Sequence, residues 1–127
     1  IIDKLKKNKI VNIYNSEKLF NNVIDTVEIF KFINYMIKKK YMKSGSLNFS
    51  ASKPIKIRSM IYHIRKKLSS KSKIVFKKEK SKHFIILSTK AFKDYGFNIA
   101  TTSEIINRYL ENHKFTNAQY LNLILKK

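Results

Sequence analysis

An excess of one charge sign is what most constrains how this chain can fold. Twenty-eight lysines and arginines face eight acids, a formal net charge of +20 in 127 residues. A compact body with that charge repels itself, so its fold needs a substantial core and gains from a polyanionic partner. The lysines run from Lys4 to Lys127 and do not gather in one tail. The charge therefore belongs to a folded body. Nucleic acid is the expected polyanion, because lysines that neutralise phosphates release counterions and gain affinity.

The rest of the composition is compatible with a core. The chain is 43% hydrophobic, with nine Phe, seven Tyr, two Gly and one Pro. Disordered basic tails are apolar-poor and rich in Pro, Gly and Ser. A chain of this length makes one domain or two small lobes. Cysteine is absent, which excludes a disulfide framework and a Cys-based zinc site. The most apolar stretch, residues 23–37, is broken by Asp25, Glu28, Lys31 and Asn34, so no membrane span is expected. No signal-peptide pattern is present in these residues. Lys, Ile and Asn dominate while Arg occurs three times, a bias that AT-rich codons produce. Part of the lysine excess is attributable to a low-GC genome. The scarcity of acids is not, because Asp and Glu codons also contain A.

Periodicity predicts an α+β chain. Ile1, Ile2 and Leu5 line one side of a short helix over residues 1–8, and residues 10–14 read as a strand. Asp25 followed by Glu28 is a capping-box signature. It opens a helix over residues 25–42 with Val27, Phe30, Ile33 (or Asn34), Ile37 and Tyr41 recurring on one side. Phe30, Phe32 and Tyr35 are expected in the core. The closing Lys38-Lys39-Lys40 suits the negative end of the helix dipole. Short strands are expected at 44–50 and 54–57. Residues 57–68 fit a helix through Ile57, Ile61, Ile64 and Leu68, or a strand leading into a shorter helix. Residues 74–76 and 84–87 are expected to pair as a hairpin across a turn. A helical stretch at 89–95 closes at Gly96, and a strand follows at 97–101. Ser103 is expected to N-cap a helix with Ile105, Ile106, Tyr109 and Leu110 inside, and 120–125 reads as a last strand. The division expected is an N-terminal helix–strand–helix–strands lobe over 1–60 and a strand-rich lobe with short helices over 61–127.

Catalysis finds little support. His63, His83 and His113 lie far apart in sequence with no carboxylate or Cys at ligand spacing, so a surface or RNA-facing role is expected. Asp25 and Glu28 fit helix capping, not an acid–base pair. With two glycines there is no phosphate-binding loop. No cofactor, metal or small-molecule substrate is implied. Nucleic-acid binding fares better. Residues 4–9, 38–44 and 53–82 mix cations with hydroxyls and amides, and 100–103 adds the hydroxyls of Thr101, Thr102 and Ser103, groups that hold phosphates and riboses. Lys53, Lys56 and Arg58 are candidate contacts from the third of these segments. Tyr14 and Tyr62 sit among polar residues where they can stack on bases.

The second half resembles the bacterial-type ribosomal protein S eight family, small-subunit proteins that bind ribosomal RNA. Ser81-Lys82 precedes the apolar run 84–87, as that family's Ser-Lys/Arg-Pro turn precedes a strand. Gly96-Phe97-Asn98-Ile99-Ala100 is similar to its Gly-Leu-Gly-Ile-Ala segment, and Thr101-Thr102-Ser103 stands in its Ser-Thr-Ser position. Residues 119–125 fall where its last strand lies. Asp3-Lys4-Leu5 resembles the Asp-x-Leu of its first helix, and helix 25–42 its second. Departures are His83 for the Pro, Asn98 for the second Gly and Glu104 for a Lys. A second register pairs 61–76 with the Ser-Lys-Pro region and Ser88-Thr89-Lys90 with the hydroxyl loop; the first leaves no unexplained C-terminal tail.

The resemblance implies a non-catalytic protein that clamps a junction in the central domain of small-subunit ribosomal RNA, beside neighbouring ribosomal proteins. Thr101, Thr102 and Ser103 would hydrogen-bond to the RNA backbone, with Ser81, Lys82 and His83 beside them. Lys6, Lys7 and Lys9 would contact phosphates. The Lys/Ile/Asn bias fits a mitochondrial copy, with the cytoplasm of a low-GC bacterium as second choice. The alternative reading is a winged-helix DNA-binding protein built on helix 57–68 and hairpin 74–87. A basic nuclease would need paired metal-binding carboxylates, which the sequence does not offer.

Overall fold

The structure is a computed structural model that describes residues 1–41, 44–78 and 84–112. Helix α1 (Ile2–Lys6) buries Leu5 completely and ends with Asn8 in the left-handed region at φ 52°. Strand β1 (Val11–Tyr14) points Val11 and Ile13 inward and Asn12 and Tyr14 outward, the two-residue period of a half-buried strand. Strand β2 (Leu19–Phe20) pairs antiparallel with β3 (Ile55–Lys56), Leu19 opposite Lys56. Helix α2 (Thr26–Lys38) starts at Asp25, whose Oδ1 accepts the Glu28 N–H at 2.9 Å. Helix α3 (Ile57–Lys67) resolves the ambiguous segment as helix, entered directly from β3. Strand β4 (Ile74–Lys77) runs parallel to β1, Val11 opposite Ile74 and Tyr14 opposite Lys77. Helices α4 (Thr89–Tyr95) and α5 (Thr102–Asn112) complete the described chain. The fold is thus mixed α+β, as expected.

Two apolar clusters hold it. The first joins Leu5, Val11, Ile13, Ile61, Ile64, Ile106 and Leu110. The second joins Ala91, Phe97 and Ile99, with Ile24, Phe32, Tyr35, Leu47 and Phe49 packed against them. Each cluster draws on residues from both sides of position 60. Gly96 allows the second cluster to close. It ends α4 at φ 69°, which turns the chain so that the Phe97 N–H reaches the Ala91 carbonyl at 3.0 Å. A Cβ there would also meet Tyr35 Oη at 3.3 Å.

Several expected strands did not form. Residues 44–50, 84–87 and 97–101 are not strands, apart from an isolated bridge between Ser52 and Thr101. The hairpin of 74–76 with 84–87 is replaced by the β1–β4 pair. The physical reason is Asn21. Its buried amide donates to the Ile86 carbonyl at 2.7 Å and accepts the Ile86 N–H at 3.0 Å. A side-chain amide thus takes the place of a neighbouring strand. Among the described residues beyond 60, helices and the single strand β4 stand where a strand-rich lobe was expected. The strand expected at 120–125 lies outside the described residues.

Helix α2 is also rotated from the expected orientation. Phe30 is 65% exposed, and Ile33 and Ile37 are exposed with it. The buried side is carried by Glu28, Phe32 and Tyr35. Phe32 lies 5.1 Å from Phe49, 5.8 Å from Tyr95 and 5.1 Å from Phe97, centroid to centroid. The aromatic cluster around Phe32 decided the rotation over the stripe of Phe30, Ile33 and Ile37. Phe32→Ala should therefore destabilise the protein by about 3–5 kcal/mol, whereas Phe30→Ala should change stability by less than about 1 kcal/mol. Urea unfolding of both variants checks this; equal losses would contradict the rotation.

Candidate nucleic-acid interface

How the few acids and arginines are engaged determines which cations remain for a partner. Arg108 on α5 donates from Nε to Asp25 Oδ2 at 2.8 Å and from Nη2 to Glu28 Oε2 at 2.6 Å. Glu28 is 2% exposed, and its other oxygen accepts the Ala100 N–H at 3.4 Å. Burial alone would lower the Arg108 pKa, but the Glu28 hydrogen bond and the charges of Asp25 and Glu28 outweigh it and raise it. Arg58 donates to Glu17 at 2.6 Å and lies 4.4 Å from the centroid of the Phe76 ring. Arg65 donates to the Ser70 carbonyl at 3.2 Å. All three arginines of the chain are therefore engaged within the fold. Every described lysine is exposed.

The expected contact residues fall in three places. Lys6, Lys7 and Lys9 lie at the end of α1, fully on the surface. There the chain is laced to the turn before β4. Ser70 Oγ donates to the Leu5 carbonyl at 2.6 Å, and Asn8 Oδ1 accepts the Lys71 N–H at 2.8 Å. Ser72 Oγ reaches the Lys4 carbonyl at 3.4 Å, and the Val11 N–H reaches the Lys73 carbonyl at 3.0 Å. Lys4, Lys71 and Lys73 thereby join the expected group. Their sequence signal is the alternation Ser70-Lys71-Ser72-Lys73, in which the serines tie the turn and the lysines face out.

Lys56 and Arg58 form the second place, where β3 enters α3. Both meet Glu17, Lys56 at 3.2 Å. The Lys56 hydrogen bond first, then the Arg58 charge, hold the Glu17 carboxyl below its ordinary value against an opposing desolvation. The positive charge here is partly neutralised. Tyr62 packs edge-on to Phe76 at 5.7 Å and is 45% exposed, and Tyr14, 47% exposed, has Lys77 Nζ 6.0 Å from its ring centroid.

The third place is the hydroxyl loop, and its groups mostly face the protein. Thr102 is completely buried, and its Oγ1 donates to the Ser52 carbonyl at 3.1 Å. Thr101 caps α5 in place of the expected Ser103. Its N–H and hydroxyl both donate to Glu104 Oε2 at 2.7 Å, and its Oγ1 accepts the Glu104 N–H at 3.3 Å. This is a reciprocal capping box, which Glu104 makes and the family's Lys would not. Those Thr101 bonds, then the charges of Arg108 and Lys53, lower the Glu104 pKa despite some desolvation. Ser103 is half-exposed and Lys53 fully so. Ser81, Lys82 and His83 lie outside the described residues. His63, expected to be surface or RNA-facing, is half-buried and bonded through Nε2 to Asn107 Oδ1 at 2.6 Å, tying α3 to α5.

No protein-family model matches this sequence, and no curated protein matches it. No helix among the described residues is long and apolar enough to cross a membrane.

Two measurements test these assignments. Arg108→Ala strands the buried Glu28 carboxylate and should cost about 3–5 kcal/mol in urea unfolding; Arg108→Lys should recover only part of it, lacking the planar fork. For the capping box, the Glu104 pKa is lowered on folding. Its contribution is fully present above the ordinary value of 4.5 and is lost as pH falls through the depressed folded value. Glu104→Gln should therefore flatten that part of the acid limb in a thermal-unfolding series against pH.

Proposed function

We propose that this protein is a non-catalytic constituent of the small ribosomal subunit that binds the central domain of its ribosomal RNA and supports its assembly. The reading rests on the resemblance to the S eight family and is supported above all by one observation. Each arginine has a partner within the fold, Arg58 at the surface with Glu17, and every described lysine is exposed. Lysine is a point charge that suits phosphate contacts, whereas arginine forks are the commonest readers of guanine edges. A surface of this kind holds a backbone and leaves shape to select the site, as RNA recognition does. The two-lobe arrangement, the neighbouring ribosomal proteins and the mitochondrial location belong to the same proposal. The codon-driven Lys/Ile/Asn bias supports the last of these.

Within this reading the hydroxyl loop divides its roles. Thr101 and Thr102 shape the loop and Ser103 meets the RNA. Ser103→Ala should weaken RNA binding by about 1 kcal/mol without changing stability, while Thr102→Ala should lower stability by about 1 kcal/mol. The main test is sedimentation. The protein should travel with small subunits through moderate salt and be released when the RNA is digested. Sequence-preferring binding to duplex DNA, with none to ribosomal RNA, would overturn the proposal.

A further inference from the structure

The junction between α1 and residues 70–73 gathers six exposed lysines that have no ion pair among the described residues. Lys4, Lys6, Lys7 and Lys9 stand on one side, Lys71 and Lys73 on the other, all exposed. Asp3 is the only acid in residues 1–9 and 69–73. The bonds across the seam are neutral: Ser70 to Leu5, Ser72 to Lys4, and Lys71 to Asn8. Ion pairs among the described residues lie elsewhere, at Glu17, Asp25 and Glu28. Like charges repel appreciably within a screening length of about 8 Å at physiological salt, and the hydrogen bonds between the two segments bring them together. Helix α1 has five residues, too few to persist unless docked, and its docking rests on Leu5, Ile2 and these neutral bonds.

We infer that this seam is the protein's main phosphodiester grip, with an RNA backbone lying across it so that its phosphates draw the two lysine-bearing segments together. The inference rests on the RNA-binding function proposed above and names the site within it. The other two places are weaker candidates, because Glu17 and Glu104 dilute their charge. An anionic membrane is a poorer fit than RNA. Leu5 is fully buried and Ile2 packs on the core, so α1 presents no continuous apolar face, only the separate exposed side chains of Ile1 and Ile10 at its flanks. Binding at the seam is expected to depend little on sequence, since the seam carries no arginine and the Asn8 Oδ1 already accepts from Lys71 and Ser70.

Repulsion across the seam gives the site an unusual signature, in which stability and binding move in opposite directions. The double substitution Lys71→Glu, Lys73→Glu in the full chain should leave the thermal midpoint of the free protein unchanged or higher. The same variant should bind small-subunit ribosomal RNA about tenfold or more weakly at ~0.1 M salt, with a log–log salt slope smaller by about 0.7–0.9 for each phosphate it no longer neutralises. A charge-matched control, Lys90→Glu with Lys93→Glu on α4, should bind within about twofold of wild type. The neutral pair Lys71→Gln, Lys73→Gln should repeat the loss in milder form and serves if the first variant does not fold. Hydrogen exchange should slow at the Leu5 and Lys71 amides when RNA is added. Equal weakening by the seam and α4 variants would overturn the seam as the site while leaving RNA binding intact. Failure of the wild-type protein to bind RNA would instead sink the functional proposal, and binding only to anionic phospholipid vesicles would overturn both.

Discussion

Arg108 holds two carboxylates of a helix it does not belong to, and much of the fold depends on that contact. Helix α5 contributes Ile106 and Leu110 to the first apolar cluster. Its Arg108 binds Asp25 and Glu28 at the start of α2, the helix that carries Phe32 and Tyr35 into the second. One side chain therefore couples the two clusters. Asp25 serves twice, capping α2 through the Glu28 N–H and accepting from Arg108. Both carboxylates also lie at the positive end of the α2 dipole. Removing the cation would leave a buried charge, which is why the contact specifies an arrangement more than it adds net stability.

The same economy of acids shapes the surface. With eight acids against 28 cations, each carboxylate placed in an internal role is one withdrawn from surface neutralisation. Glu28 and Asp25 fix a helix, Glu104 closes a capping box, and Glu17 binds the corner where β3 becomes α3. The lysines are left to face outward with little opposing charge. Around the end of α1, where Asp3 is the one acid in residues 1–9 and 69–73, the exposed lysines have no ion pair among the described residues. Serine hydroxyls and one asparagine, not ion pairs, hold that region closed.

The sequence made some elements legible and hid others for identifiable reasons. The helices at 1–8, 25–42 and 89–95 and the strands at 10–14 and 74–76 were visible because local periodicity and caps agree with the tertiary packing. Asp25 and Gly96 mark helix ends in ways that need no long-range partner. The pairing of β4 was not legible, because its partner β1 lies about sixty residues earlier and apolar strands do not name their neighbours. The segment 84–87 has strand composition, yet Asn21 occupies its backbone groups. The outward turn of Phe30 was hidden by a helix that is apolar on more than one side. At the candidate site, the lysines were legible as charge. Their grouping was not, because it depends on Ser70, Ser72 and Asn8 finding carbonyls and amides far away in sequence.

The hydroxyl segment 101–103 mostly serves the fold itself. Thr101-Thr102-Ser103 resembles a segment that faces RNA, but Glu104 follows it here. A carboxylate at the third position after Thr101 completes a capping box, and that draws the Thr101 hydroxyl and amide toward α5. Thr102 then turns inward, where Ser52 accepts from both its N–H and its hydroxyl. The carboxylate at 104 thus makes this segment a helix start that braces residues 52 and 101–104 against each other. In the proposed role, affinity then has to come from elsewhere on the surface. With every arginine already paired within the fold, the exposed lysines are the groups left to supply it.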